Sequence, residues 1–214
     1  MNFNEYLNFA VAMLAIVNPL GIIPIWTQLT SDLYTKTRRE IAVMLTLMAI
    51  VILLMFLIGG ENILEFFSID LQVFKVAGGL LLLFTGFSMV NGDTARRDRL
   101  EEDEDASTFQ VAKSRFRKIV VPLGIPMLSG PGSLTTVLLF GADAESTTEY
   151  VILSAIMTGV MLLLMMAFYF SRILERRIDP IIFDIMTRLF GVLVTAIAVQ
   201  FMVEGLGNIF PGWK

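Results

Sequence analysis

The 214-residue chain has no cysteine and no histidine. Their absence removes disulfides, thiolate and imidazole metal sites, haem attachment through cysteine, and every nucleophile pair that needs either residue. Charge is also scarce. Only 17% of residues are Asp, Glu, Lys or Arg, against 56% hydrophobic, and the mean hydropathy is +0.74. A water-soluble chain of this length has too much surface to cover with so few charges. The bilayer interior is therefore the expected partner, and nucleic acid is not. The formal net charge of −4 says little, because the charges sit in loops where their distribution matters more than their sum.

A hydrocarbon core of roughly 30 Å takes about 20 mostly apolar residues in a helix. Six segments meet that requirement: Leu7–Leu29, Ile41–Ile58, Phe74–Val90, Ile119–Phe140, Val151–Phe170 and Leu189–Ile209. The second is the plainest, with Thr46 its only polar residue. Met1–Tyr6 carries no Lys or Arg, so no basic signal-peptide region precedes span one, which is expected to stay in the mature protein. The first loop carries Lys36, Arg38 and Arg39, the third carries seven basic residues between Arg96 and Lys118, and the fifth carries Arg172, Arg176, Arg177 and Arg188. These loops hold 14 of the 16 basic residues. With six spans they share one side, so the positive-inside rule predicts both termini outside, in the cell membrane of a bacterium or archaeon. The acidic stretches Glu61–Asp70 and Asp143–Glu149 fall on the other side. Residues 93–118 form a charged linker between residues 1–92 and 119–214; Arg97/Glu101 and Arg99/Asp103 have the spacing of a short exposed helix.

The two halves match at a nearly constant offset. Pro19 and Pro131 are 112 apart, as are Arg39 and Val151, and Lys75-Val76-Ala77-Gly78 precedes Arg188-Leu189-Phe190-Gly191 by 113. Each half has three spans, so the second must enter the membrane from the opposite side. The expected fold is all-α, with six transmembrane helices arranged as a 3+3 inverted-topology repeat, an architecture typical of transporters.

Spans one and four are interrupted. Span one contains Asn18-Pro19-Leu20-Gly21 and Pro24; span four contains Pro122, Gly124 and Pro126, then Ser129-Gly130-Pro131-Gly132-Ser133. Proline removes a backbone donor, and in hydrocarbon the freed groups must find partners in protein or ligand. A single proline in a membrane helix is most simply a packing kink. Paired breaks surrounded by Asn18, Ser129, Ser133, Thr135 and Thr136 are better read as a binding site. The expected substrate-binding residues are Asn18, Pro19, Gly21, Ser129, Gly130, Pro131, Gly132, Ser133, Thr135 and Thr136, with half-helix ends complementing the charges of a zwitterion. Elsewhere, Gly78, Gly79, Gly86 and Gly191 suit close helix approach. Lys75 and Arg188 are expected to snorkel to the headgroups. Glu61, Glu65 and Glu204 are placed at the outer interface, and Trp26 and Trp213 read as interfacial anchors. Gln200, inside span six, suits an interhelical hydrogen bond or a cavity equally.

Val17-Asn18-Pro19-Leu20-Gly21-Ile22-Ile23-Pro24-Ile25, Val121-Pro122-Leu123-Gly124-Ile125-Pro126, Ser129-Gly130-Pro131-Gly132, Ala77-Gly78-Gly79 and Arg188-Leu189-Phe190-Gly191 resemble the MarC/SnatA family of six-span membrane proteins. The resemblance implies a secondary transporter of small neutral amino acids (glycine, alanine, serine, threonine), some members acting as exporters, with no cofactor or metal. An intramembrane enzyme is disfavoured by the residues themselves: histidine is absent and all nine Asp lie in loops or at span ends. A passive channel or a non-transporting scaffold remains the alternative. No protonatable group is evident deep in a span, so exchange, facilitation and an ion held by broken-helix carbonyls stay open as coupling schemes.

Overall fold

The computed structural model describes residues 1–31, 33–92, 130–210 and 212. All regular structure among them is helical: α1 (Phe3–Val17), α2 (Ile23–Leu29), α3 (Thr35–Phe66), α4 (Leu71–Asn91), α5 (Pro131–Ala142), α6 (Thr147–Tyr169), α7 (Ser171–Arg177) and α8 (Pro180–Ile209). Helices α3, α4, α6 and α8 are long and apolar enough to cross a membrane, while α1 and α5 are apolar but shorter. Span one is therefore α1 and α2 with a break between them, and α5 is the last part of span four. The earlier part of span four, Ile119–Ser129 with Pro122 and Pro126, lies outside the described residues. So do the 93–118 linker with its expected helix, and Trp213.

Two spans are longer than expected. Helix α3 runs through Glu61 and Glu65 to Phe66, so the expected acidic loop from Glu61 is helix for most of its length, and α8 begins at Pro180 rather than Leu189. Apolar runs stop at the first charge, whereas backbone hydrogen bonding continues into the headgroup layer with exposed Glu61 and Glu65 on the helix surface. Side-chain caps fix several starts. Asp70 accepts from the Gln72 and Val73 N–H groups at 2.8 and 3.2 Å, and Asp179 accepts from Ile181 N–H at 2.9 Å. Ser146 and Glu149 form a capping box on α6.

The closest helix pair is α4 against α8, antiparallel, with Gln72 beside Asn208, Lys75 beside Glu204 and Gly86 beside Gly191 and Thr195. Glycine makes the approach possible. A Cβ on Gly79 would lie 2.7 Å from the Ala198 carbonyl, one on Gly86 2.9 Å from Thr195 N, and one on Gly191 2.9 Å from Val90 N. Gly78 does the same work against the Thr135 side chain of α5. These glycines pack as their sequence positions suggested. Around this pair, α3 packs on α5 and α6 packs on α1; α4 packs on α5 and α8 packs on α1. These four contacts form two pairs that change places when the halves are exchanged.

One core joins α1, α3 and α6 through Phe9, Met13, Leu45, Leu53 and Met157. Another joins α4, α5 and α8 through Leu82, Leu138, Leu139, Val194 and Ala198. Large apolar side chains such as Met55, Phe84, Leu163 and Val192 face outward, as a surface solvated by lipid requires. The two ends of the bundle are tied differently. At one, Arg38 Nη2 donates to Ser171 Oγ at 2.9 Å, Arg172 reaches Thr35 Oγ1 and the Leu33 carbonyl, and Arg39 lies 3.9 Å over the Tyr169 ring. Basic loops one and five therefore share that end. At the other, the Met1 amine pairs with Glu149, and Phe9 packs on Phe140 with ring centroids 5.0 Å apart.

Two expectations need correction here. Trp26 is no interfacial anchor: it is fully buried and stacks on Phe168 at 4.4 Å, because α2 turns it into the bundle. Lys75 is buried beside Glu204, with Nζ 3.9 Å from Oε2, rather than snorkelling free. The glycine-mediated approach of α8 brings the carboxylate within reach.

Candidate functional site at the two helix breaks

The first break is closed by its own asparagine. Asn18 adopts the left-handed conformation (φ 44°, ψ 64°) at the end of α1, a geometry that Asn tolerates better than other non-glycine residues. Its Oδ1 accepts from Gly21 N–H at 3.1 Å, and its Nδ2 donates to Thr187 Oγ1 of α8 at 3.3 Å. Thr187 in turn donates to the Phe183 carbonyl at 2.8 Å. Gly21 has no room for a Cβ, because the Asn18 and Thr187 side chains occupy that space. Pro19, buried beside Asn18, brings no N–H to the Ala15 carbonyl, so the last turn of α1 keeps acceptors free of intrahelical donors. Asn18 therefore serves the freed backbone and α8 rather than offering an empty amide. The half-helix that follows this break is α2, of seven residues, and the Asn18 side chain fills the turn before it.

The second break is built differently. Gly130 is the N-cap of α5 in extended conformation and contributes no side chain to the cap; Pro131 follows at the first helical position. The first intrahelical bond runs from Leu134 N–H to the Gly130 carbonyl at 3.0 Å, so the Gly132 and Ser133 N–H groups stand ahead of the ladder. Gly130, Gly132, Ser133, Thr135 and Thr136 are buried, while Pro131 is exposed. The hydroxyls of Ser133 and Thr136, whose residues are 1% and 0% exposed, find no hydrogen-bond partner among the described residues. Helical Cα–Cβ bonds tilt toward the N-terminus, which for α5 is the Gly130 end. Thr135 instead lies against Gly78. Ser129 lies outside the described residues.

The breaks are neighbours. A Cβ on Gly132 would lie 2.7 Å from Leu82 of α4 and 3.3 Å from the Ile16 side chain of α1. The start of α5 thus meets the last turn of α1, two residues before Asn18. A positive helix end and a negative one adjoin inside the bundle. Three further buried polar atoms lack partners among the described residues: Trp26 Nε1 and Thr27 Oγ1 on α2, and Thr46 Oγ1 on α3. None of them took a site role from the sequence alone. Thr46 looked incidental in a plain span, yet a lone hydroxyl in an apolar run, with Thr158 112 residues later, was the available signal. Among the described residues no three acidic, His or Cys side chains group to hold a metal.

The chain matches the family described as MarC family integral membrane protein over residues 3–210. A UPF0056 membrane protein from Methanocaldococcus jannaschii is 33% identical over 196 residues, spanning 91% of this chain and 92% of that protein. YhcE, a UPF0056 membrane protein from Escherichia coli strain K12, is 29% identical over 217 residues (99% and 96%). YvbG, its counterpart in name from Bacillus subtilis strain 168, is 26% identical over 211 residues (99% and 98%). No solved structure matches. With its apolar helices, its outward apolar surface and a match along nearly its whole length, the chain belongs to the MarC (UPF0056) family of multi-pass integral membrane proteins.

Proposed function

We propose that this protein is a secondary transporter of small neutral amino acids in a bacterial or archaeal cell membrane, with both termini outside and the two helix breaks forming one substrate site. The observation that carries the reading is the start of α5 inside the bundle: among the described residues no side chain caps it, and the buried Ser133 and Thr136 hydroxyls have no partner. A carboxylate suits that end, because free N–H groups and the helix dipole favour negative charge. The adjoining last turn of α1, with acceptors released by Pro19, suits an ammonium group. The polar side chains around both ends are neutral, which matches a ligand whose own two charges cancel. The paired contacts of the two halves support an inverted repeat and hence alternating access around this site.

The reading is tested on purified protein in liposomes. Uptake of radiolabelled glycine, alanine, serine or threonine should saturate and show counterflow, and imposed Na⁺ or H⁺ gradients report the coupling. In detergent, millimolar amounts of the same amino acids should raise the unfolding temperature more than leucine or arginine do, since a ligand that binds only the folded state stabilises it. Non-saturable flux without counterflow would indicate a passive channel. No flux and no stabilisation by any amino acid would leave a non-transporting membrane protein.

A further inference from the structure

Gln200 sits well inside α8, and the structure turns it outward. It shares an exposed face with Ala196, Val199 and Val203. Gly79 packs on the α8 backbone between Ala198 and Met202, so Gln200 lies level with Gly79, about 12 Å along α4 from its start at the rise of an α-helix. Lipid tails at that depth provide neither donors nor acceptors. Glu204 Oε1 takes one amide N–H at 2.9 Å; the other N–H and the amide oxygen have no partner among the described residues. Nothing comparable occurs on α3, whose outward residues Met44, Leu47, Val51, Met55 and Ile58 are apolar.

We propose that the α8 face around Gln200 docks against the same face of a second copy of this chain, with the two Gln200 amides paired across the interface. A two-fold axis along the membrane normal brings each residue to its own depth in the partner. That geometry suits an amide, which both donates and accepts, as it would not suit a bare charge. The one carboxylate close by, Glu204, has Lys75 Nζ of its own chain 3.9 Å away, so the two copies do not bring uncompensated like charges together. Ala196, one turn before Gln200 on the same exposed face of α8, leaves the surface low enough for close helix approach, and small residues with a polar one are what membrane helices use to associate. A different partner would need a matching polar group at that depth; a second copy carries one by symmetry.

The absence of native cysteine makes the test direct. Single-cysteine variants Ala196→Cys, Gln200→Cys and Val203→Cys, oxidised in native membranes with a membrane-permeant catalyst, should form disulfide-linked dimers. Leu47→Cys, equally exposed but on α3, should stay monomeric. In a second measurement, Gln200→Leu in the full-length protein should weaken dimerisation in liposomes, read by energy transfer between labelled copies, by roughly three- to thirty-fold, the range of an interhelical hydrogen bond in lipid. Monomers at all three α8 positions, or cross-linking equal to that at Leu47→Cys, would overturn the proposal. Unchanged dimerisation of Gln200→Leu would overturn the amide pairing. Neither result depends on what the protein transports.

Discussion

Asn18 uses both ends of its amide on the protein, whereas the Ser133 hydroxyl has no partner among the described residues. That contrast separates two roles that sequence reading had merged into one list. Asn18→Ala removes the acceptor for Gly21 N–H and puts at a left-handed position a residue that tolerates it less well than Asn, so the folded state should lose about 1–3 kcal/mol, seen as a lower unfolding temperature with or without substrate. Ser133→Ala is expected to leave the fold intact, and if Ser133 serves the proposed site the half-saturating substrate concentration should rise roughly tenfold at an unchanged unfolding temperature. The reverse pattern would exchange the two assignments. Thr46→Val is the informative third case. Replacing a buried hydroxyl that has no partner among the described residues by a methyl of the same shape is near neutral or stabilising when packing is its only role, and any loss of uptake assigns Thr46 to the site. The presence of the breaks was legible because Pro and Gly announce themselves. Their inequality was not, because whether an amide caps its own turn depends on φ and on Thr187, 169 residues away.

Among the elements, the α4–α8 pair was the most legible, since Gly79, Gly86 and Gly191 have few uses in hydrocarbon except close approach. Gly191→Leu drives a side chain into Val90 N and the Gly86 carbonyl, and should cost several times the roughly 1–3 kcal/mol of ordinary overpacking because backbone cannot move aside. Gly159→Leu on α6 meets open space and should be tolerated; comparable yields of folded protein for the two variants would refute this account of the pair. Helix ends were less legible than helix interiors. The start of α6 shows why: its capping box draws on the Met1 amine from the far end of the sequence. That amine, and then the Glu145 backbone N–H, hold the Glu149 carboxyl below its usual range, while Glu149 raises the amine above its own. The carboxylate's contribution is present above its ordinary value of 4.5 and is lost as pH falls through the lowered one. The amine's is full below its ordinary value of 8.0 and is lost as pH rises through the raised one. Unfolding temperature should therefore decline at both extremes, and Glu149→Gln should flatten both limbs.

For the whole molecule, the proposed orientation rests on which loops share an end. Arg38 and Arg172 bind loops one and five into one basic cluster, while the N-terminus meets the α5–α6 connection at the opposite end. The sequence carried this arrangement as a charge bias, and the bundle reproduces it through hydrogen bonds that know nothing of a membrane. What charge bias could not carry was the position of α2, which is too short to read as a span and too apolar to read as a loop; tertiary packing on Phe168 decides it. Because the two ends are chemically distinct, the direction of insertion is open to a direct test. Lys36→Cys and Thr148→Cys replace exposed residues at opposite ends, and neither side chain takes part in the contacts that close its end. In intact cells an impermeant thiol reagent should label Thr148→Cys and spare Lys36→Cys until the membrane is opened. The reverse labelling would invert the protein in the membrane while keeping its fold. Labelling of both from outside would mean that the two ends do not lie on opposite faces of the bilayer, and the proposal of a substrate site between the broken helices, reachable from either side, would fall with it.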